Sequence, residues 1–363
     1  MSTCRGCAAT EMHRVLDLGR LPATDYFPGC DEPTSSAESL PPLQMELCTV
    51  CGLAQLGQDV SVGDEPRGIE PQALRDQAVA AVGCAADAGW LRGRTVREFG
   101  SPHGGTWLPL LHDRGFGEAE VADVVLDCFG IMHDDDQRAA FELRARSTAP
   151  GGVLLLQFHS LMAIVTQGQW NALRHGHIVY YSLSALTQLL GTVGFSVATA
   201  WSFDLYGGTV MIAAVHGRVD PDDHVTRILR SESEFGITDP SVVGRLQRAS
   251  ESEISSLRHW LDAQEAAGRT VYGYGAASRA VTLFAAAGVD RGRIAAVADA
   301  SAAKQGRRMP GTDIPIISPD ELIAANPDTV LVTIPEIGAE VRRRYPQLDG
   351  RWHVAASSEL AAQ

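Results

Sequence analysis

Two cysteine knuckles constrain this chain more than any other feature: Cys4-Arg5-Gly6-Cys7 and Cys48-Thr49-Val50-Cys51, the second followed by Gly52. A two-residue spacer lets a tight turn aim both sulfurs at one ion, and two such turns complete a tetrahedral thiolate site. Four protein ligands close that site to water, so the expected ion is a structural zinc with no part in bond-making. Buried reduced thiols would not require paired spacing. A redox dithiol would open a helix after a strand, which neither pair does. Cys30, Cys84 and Cys128 have no partner spacing, and an odd total of seven does not describe a disulfide framework. Removing zinc is therefore expected to loosen the N-terminal module without directly touching the chemistry.

Between the knuckles, residues 31–42 are rich in Pro, Ser and acidic side chains and read as a loop, so the zinc module is expected over 1–60. A helix is expected over 70–92, where Leu74, Ala78, Ala81 and Val82 recur at helical spacing. A second unit, 61–216, then carries strands at 94–99, 121–129, 153–158, 195–203 and 209–216, with helices over 136–147 and 183–193. Strand–helix alternation that closes in a hairpin indicates an α/β sheet whose last pair is antiparallel. Residues 217–240 are charged and read as an irregular linker. A third unit, 241–363, opens with a helix over 241–268 and repeats the α/β rhythm with strands at 270–274, 293–298 and 329–333. The expected class is α/β: an N-terminal zinc-ribbon-like module, a truncated Rossmann-like middle domain and a C-terminal Rossmann-like domain.

Charge narrows the partners. Thirty Lys and Arg against forty-four Asp and Glu leave −14, a field that phosphate surfaces repel. Nucleic acid and anionic membrane are thus not expected as partners. No apolar run approaches the roughly 18 residues of a membrane span, and the first residues lack a signal-peptide core. A cytoplasmic chain acting on a small molecule is expected.

Two glycine turns follow strands. The first, Glu98-Phe99-Gly100-Ser101-Pro102-His103-Gly104-Gly105, stands where class I methyltransferases hold S-adenosylmethionine, with Glu98 the acid that contacts a ribose or amine. Turn punctuation explains its glycines equally well. The second, Gly273-Tyr274-Gly275-Ala276-Ala277-Ser278-Arg279, with Asp299 beyond the next strand, is similar to half of a dinucleotide fingerprint. Close helix–strand packing accounts for that Gly-x-Gly nearly as well.

Together these pieces resemble the zinc-containing sugar C-methyltransferases that act on nucleotide-linked keto-deoxysugars, over nearly the whole chain. The tail carries the most specific agreement: Gly273–Arg279 resembles the family's GYGA segment, and Lys304-Gln305-Gly306-Arg307-Arg308-Met309-Pro310-Gly311-Thr312-Asp313-Ile314-Pro315-Ile316 its KQGRxxPGTxIPI segment. The resemblance implies an enolate made by removing a proton beside a ketone, which suits a base of near-neutral pKa. His133 matches one family catalytic histidine, and His177, within Arg174–Ser182, matches the histidine of its EHxxYxS segment, with His175 beside it. It further implies cofactor contacts from Glu98, Gly100, Ser101 and Gly104. Substrate contacts are implied from Tyr180, Gly275, Ser278, Arg279, Lys304 and Arg307, the cations offsetting a diphosphate.

Four departures bear on function. The family's Glu-His pair is Gly176-His177 here. Residues 59–73 carry no tyrosine, and the glycine turn has Pro102, which removes a backbone N–H from a loop that binds through such groups. Only 18 residues separate Gly105 from Asp123, too few for a second strand, its ribose-binding acid, another helix and a third strand. Gly117–Glu120 is all that stands there. Three readings remain open: an S-adenosylmethionine-dependent C-methyltransferase; a relative doing cofactor-independent epimerisation, isomerisation, elimination or cyclisation through its histidines; and a non-catalytic binding protein.

Overall fold

The structure is a computed structural model that describes residues 2–24, 26–35, 38–58, 72–101, 105–334 and 337–354. Around the cysteine knuckles, β1 (Met12–Pro22), β2 (Ser39–Cys48) and β3 (Ala54–Leu56) pair as an antiparallel meander. The expected loop over 31–42 thus ends early, because β2 takes in Pro41 and Pro42. Prolines are tolerated there since β3 reaches only Met45, Glu46 and Leu47 of β2, leaving the proline end an edge.

The middle of the chain runs α1 (Gln72–Asp87), β4 (Thr95–Phe99), α2 (Leu108–His112), β5 (Gly117–Glu118), β6 (Ala122–Cys128) and α3 (Gln137–Ser147). It continues through β7 (Thr148–His159), α4 (Leu161–Thr166), β8 (Val179–Tyr180), α5 (Leu183–Thr192), β9 (Phe195–Phe203) and β10 (Thr209–His216). The main sheet has the order β5-β4-β6-β7-β10-β9, with β5, β4, β6 and β7 parallel and β10 antiparallel to both neighbours. Its central strands are apolar throughout, as strands covered on both faces must be; Val124, Val125, Leu154 and Leu156 are fully buried or nearly so.

Residues 217–240 are not irregular. They hold α6 (Asp223–Phe235) and the start of α7 (Pro240–Val243). Charge hid the period: Val225, Ile228, Leu229 and Glu232 fall on one face, which packs against the core around α5 and β9. Asp222 caps the start of α6, and Gly236 ends it in the left-handed conformation. The C-terminal unit follows with α8 (Arg245–Ala266), β11 (Val271–Tyr274), α9 (Ser278–Ala287), β12 (Val297–Ala298), β13 (Ile316–Ile317), α10 (Pro319–Ala325), β14 (Thr329–Val332), α11 (Gly338–Arg344) and β15 (Trp352–Val354). Its sheet, in the order β13-β12-β11-β14-β15, is wholly parallel. None of the described helices is long and apolar enough to cross a membrane.

The zinc module does not stand apart. Cys4, Cys48, Cys51 and Leu53 share a core with α5 and the main sheet, while Leu16, Met45 and Leu56 share another with α9 and the C-terminal sheet. Its own sheet gains a fourth strand, β8, from the middle domain: Ala54 pairs with Tyr180 and Gln55 with Val179. Because β8 begins two residues after His177, the module reaches closer to the candidate chemistry than the spacing of its cysteines suggests.

Candidate functional site

The four knuckle sulfurs converge. Cys4 Sγ lies 3.5 Å from Cys51 Sγ and Cys7 Sγ 3.6 Å from Cys48 Sγ, with all four atoms within 4.8 Å of one another. Zinc–thiolate bonds of about 2.3 Å in a tetrahedron place sulfurs roughly 3.8 Å apart, so the cage has the size and chemistry of a structural zinc site. Ala8 N–H donates to Cys4 O and Gly52 N–H to Cys48 O, each at 2.9 Å, closing the two turns. The crowded thiols split: the Cys51 sulfhydryl beside Cys4 holds it down to about 5, while burial pushes Cys7 up to about 11. Among the described residues this is the one His/Cys/Asp/Glu grouping able to hold a metal.

A second constellation sits at the carboxyl ends of β6 and β7, facing the C-terminal domain. Beyond β6 the chain turns through Gly130–Asp134, and Asp127 builds that turn from inside. Its Oδ1 accepts from Gly130 N (2.8 Å) and Ile131 N (3.0 Å), and its Oδ2 from Arg144 Nε (2.9 Å). Burial pushes the Asp127 carboxyl up, against the pull of Arg144 and the two amides. Arg144 reaches Asp134 as well, at 2.7 Å. Gln137 Nε2 donates to the carbonyls of Ile131 (2.9 Å) and Asp134 (2.6 Å), and Tyr181 donates its hydroxyl to Gln137 Oε1. His133 projects from this braced turn.

The facing turn, residues 174–178, is tied to it. Ile178 N–H donates to Met132 O at 2.9 Å, and His133 Nδ1 lies 2.8 Å from Gly176 O. Gly176 has φ +84°, a backbone conformation that a side chain strains. The glutamate of the family segment is therefore replaced here by a residue free to make a left-handed turn, and the main-chain carbonyl faces the histidine. His177 packs edge-on to His133, ring centroids 4.7 Å apart at 88°. Arg174 Nε donates to His177 Nε2 at 2.7 Å, and Arg174 Nη1 donates to Ser278 Oγ at the head of α9. One side chain thus joins the histidine pair to the C-terminal domain.

Around this core lie residues that sequence reasoning missed. Phe129 and Tyr206 both adopt left-handed backbone conformations, φ 62° and 55°, and meet edge-on at 6.0 Å. His159, the last residue of β7, lies 6.0 Å from the Tyr206 ring, over which the Arg279 guanidinium sits at 5.7 Å. Burial, then the nearby Arg279 charge, holds His159 down at about 3, so its ring is neutral at physiological pH. His159 had a sequence signal, a polar residue closing the apolar run 153–158. Asp127 likewise interrupts the apolar run 121–129.

The expected site residues scatter. Ser278 is joined to His177 through Arg174, and Arg279 lies over Tyr206 beside His159. His175 is buried and donates from Nε2 to Pro41 O at 3.2 Å, fastening β2. Tyr180 is buried, donates to Ala172 O and accepts from Arg174 N, both at 3.2 Å, so it shapes the Arg174 turn. Gly275, at φ +101°, packs where a Cβ would stand 2.8 Å from Thr333 Oγ1. Asp299 accepts from Ala276 N at 2.7 Å and from Ser301 N at 2.8 Å. Lys304 is buried, donates to Ala276 O at 2.9 Å and lies 4.6 Å over the Phe27 ring, while Arg307 donates to Phe27 O at 2.7 Å. Arg308 is held most firmly: it forks onto Glu38 at 2.9 and 2.6 Å and donates to the carbonyls of Glu32, Pro33 and Thr312. The Lys304–Ile316 segment accordingly docks residues 27–33 and Glu38.

The cofactor half is as short as the residue count implies. β5 is two exposed residues on β4, and among the described residues no strand lies beyond it. Glu98, the expected ribose or amine contact, accepts from Trp107 N at 2.6 Å and from the Thr106 hydroxyl, so both oxygens serve the start of α2. Beside it is an open groove of about 400 Å³ lined by Arg97, Glu98, Leu108, Glu118 and Glu120. Gly100 and Ser101 stand at the end of β4, whereas Gly104, with Pro102 and His103, lies outside the described residues, as do 59–71. The described residues do not fit the adenosine side of an S-adenosylmethionine pocket.

Residues 4–64 match the family described as "Putative zinc binding domain", and residues 204–354 match the family described as "C-methyltransferase C-terminal domain". The chain is 26% identical over 376 aligned residues to C-methyltransferase NovU of Streptomyces niveus, an alignment covering 91% of this chain and 88% of that protein. Among solved structures, an S-adenosylmethionine-dependent methyltransferase of Thermotoga maritima aligns at TM-score 0.30 and 15% identity, over 40% of this chain and 91% of that one. Magnesium protoporphyrin IX methyltransferase of Synechocystis PCC 6803 aligns at TM-score 0.30 and 12% identity, over 40% and 84%. Both structural likenesses are too slight to place a residue. The chain is thus similar to a zinc-binding family at its N-terminal end and to a C-methyltransferase family at its C-terminal end, with likeness to a C-methyltransferase running between them.

Proposed function

We propose that this protein removes a proton beside the ketone of a small biosynthetic intermediate, a nucleotide-linked keto-sugar or a related natural-product precursor, in the cleft between its middle and C-terminal domains. One observation carries the reading: His133 and His177 meet edge-on at the carboxyl ends of the sheet, and Arg174 ties the pair to Ser278 of the C-terminal domain. Ligands of open α/β sheets bind at that end of the strands. The carbon–hydrogen bond breaks, its electron pair becomes the enolate double bond, and the proton passes to an imidazole. Arg279, partly exposed at the start of α9, is the cation in position for a substrate anion or the enolate oxygen.

Carbon methylation begins with this step, and so do epimerisation, isomerisation, elimination and cyclisation. A second reading, in which proton transfer is the whole reaction, is favoured by the two-residue β5 and the engaged Glu98 carboxylate. Calorimetric titration with S-adenosylmethionine, and separately with S-adenosylhomocysteine, separates the two. Micromolar binding supports methyl transfer; no binding up to millimolar ends it and leaves the cofactor-free reading. Failure of the protein to exchange the α-proton of any keto-sugar nucleotide for solvent deuterium refutes the enolate step itself.

A further inference from the structure

Three acids in a row follow His133, and each is taken by a different partner. Asp134 pairs with Arg144, and Asp136 caps α3 by accepting from Ala139 N at 3.0 Å. Asp135, between them, is held from outside the middle domain. Arg5 pairs with its carboxylate, and Arg5 Nη1 also donates to its carbonyl at 3.4 Å. Arg5 is the second residue of the first cysteine knuckle, so its guanidinium is a direct hold of the zinc module on the turn that carries His133.

The knuckle is itself fixed on both sides of Cys4. The buried side chain of Gln55 accepts from Arg5 N at 2.9 Å and donates to Thr3 O at 3.0 Å. Gln55 lies in β3, where it stands opposite Val179 of β8. One residue earlier, Ile178 N–H donates to Met132 O within the His133 turn. These links close a ring that runs from the knuckle through β3 and β8 to the turn and, by way of Arg5, back to the knuckle. Within it Arg5 Nε is buried and meets no acceptor among the described residues. A buried donor left so weakens the fold, and the reach to Asp135 therefore adds geometry rather than stability.

We infer that Arg5 is a positioning residue: it sets Asp135, and with it the end of the His133 turn, only while the first knuckle is closed. The assignment rests on the enolate reading for what the turn does, and it needs no choice of which imidazole takes the proton. The knuckle that holds the metal thus doubles as a support of the cleft. This makes sense of an arginine beside Cys4, since ligand spacing asks nothing of that position.

Amide exchange over 130–136 in the full-length zinc-loaded protein tests the assignment without substrate. The Ile131, His133 and Asp134 amides are hydrogen-bonded within this turn, so their exchange reports its opening. The Arg5 side chain is 20% exposed and that of Asp135 73%, so solvent screens the pair and its effect is small. Asp135→Asn is expected to speed exchange over 130–136 by about two- to fivefold, while zinc content and protection over 48–56 hold. Arg5→Gln should do the same, and the double variant should exchange no faster than either single one, because both remove one contact. Effects that add in the double variant overturn the assignment, as does an Asp135→Asn turn that exchanges like the native one. Asp135→Asn leaves every residue of the zinc module in place, so it decides even where Arg5→Gln releases the metal.

Solvent-deuterium exchange into thymidine-diphosphate-linked 4-keto-6-deoxyglucose supplies the second measurement. Both variants are expected to lower kcat by about two- to fivefold with KM unchanged. A change confined to KM overturns the positioning role. A native protein that leaves the α-proton in place refutes the enolate reading instead, and amide exchange over 130–136 still judges Arg5.

Discussion

Zinc removal should disturb the candidate site through β3 and β8, although no zinc ligand belongs to it. Structural zinc contributes about 10–16 kcal/mol in small modules, as much as the whole stability of a typical domain, so the metal-free knuckles are expected to melt. β3 begins three residues after Cys51, and its Leu56 N–H donates to Ile178 O at 2.8 Å. Leu53 and Leu56 are completely buried. Losing two such leucines removes roughly 3–6 kcal/mol of local stability, at about 1.5–3 kcal/mol each. At about 1.4 kcal/mol per tenfold, amides over 174–182 then exchange about 10²- to 10⁴-fold faster. The assay is hydrogen exchange by mass spectrometry, comparing zinc-loaded protein with protein stripped by a chelator and with Cys51→Ser. Protection over 174–182 should fall along with that over 48–56. If 174–182 stays within about threefold of its zinc-loaded rate after the metal is gone, the module is a separate appendage and the reasoning fails.

Arg308→Ala removes the buried partner of Glu38 and leaves the Glu32, Pro33 and Thr312 carbonyls without their donor. Breaking a buried pair costs about 3–5 kcal/mol, and limited proteolysis within 27–38 should become fast. Burial raises the Glu38 carboxyl, but the bonds from Arg308 and the Gly311 amide outweigh it and hold its pKa below the usual range. That stabilisation is fully present above the unfolded value of about 4.3 and is lost as pH falls through the lower folded value. Exchange over 27–38 should therefore rise in that window, and Arg308→Ala should flatten the dependence. Asp127→Ala leaves the Gly130 and Ile131 amides without their acceptor and should destabilise the protein by about 3–5 kcal/mol while shifting the ring signals of His133. Unchanged His133 signals would show that the turn holds itself.

The element pattern was legible because it rests on period. The strands over 121–129, 153–158, 195–203 and 209–216 are plain in the residues, and the four cysteines announce their cage. Residues 217–240 were misread because the face of α6 that packs consists of Val225, Ile228 and Leu229 among charged neighbours, with the buried Glu232 capping α5 through Leu183 and Ser184. An acid at a buried position looks like a linker residue until its partners are known. The site was half legible. Single residues such as His133 and His177 stand out by type, but their setting depends on the Gly176 carbonyl and on Arg174. A backbone acceptor leaves no mark in a sequence beyond the glycine that permits its turn. The specific tail segment pointed to substrate, yet Lys304, Arg307 and Arg308 make contacts that bind the N-terminal module to the C-terminal domain, because a cation reads the same whether its partner is a phosphate or a carbonyl.

The unequal construction of the two sides of the cleft bears on which reading holds. On the β4 side the acid at the strand end serves its own helix, and the next strand is a two-residue remnant open to solvent. On the β6 side a fully buried aspartate and a buried arginine are paired beneath a five-residue turn. Such a pair is a poor source of stability, since the cost of taking two charges out of water offsets most of their attraction. What it gives is a single geometry, and the geometry it fixes is that of Gly130–Asp134 and hence of His133. The bond that Gly176 O accepts from His133, the stitch between Ile178 and Met132 and the Arg174 bridge to Ser278 fix the facing turn in the same way. A surface that only binds has little need of so firmly held an imidazole, whereas the proposed proton chemistry does. The construction is what the proposed proton chemistry would require of the histidine pair, whether or not a methyl group follows.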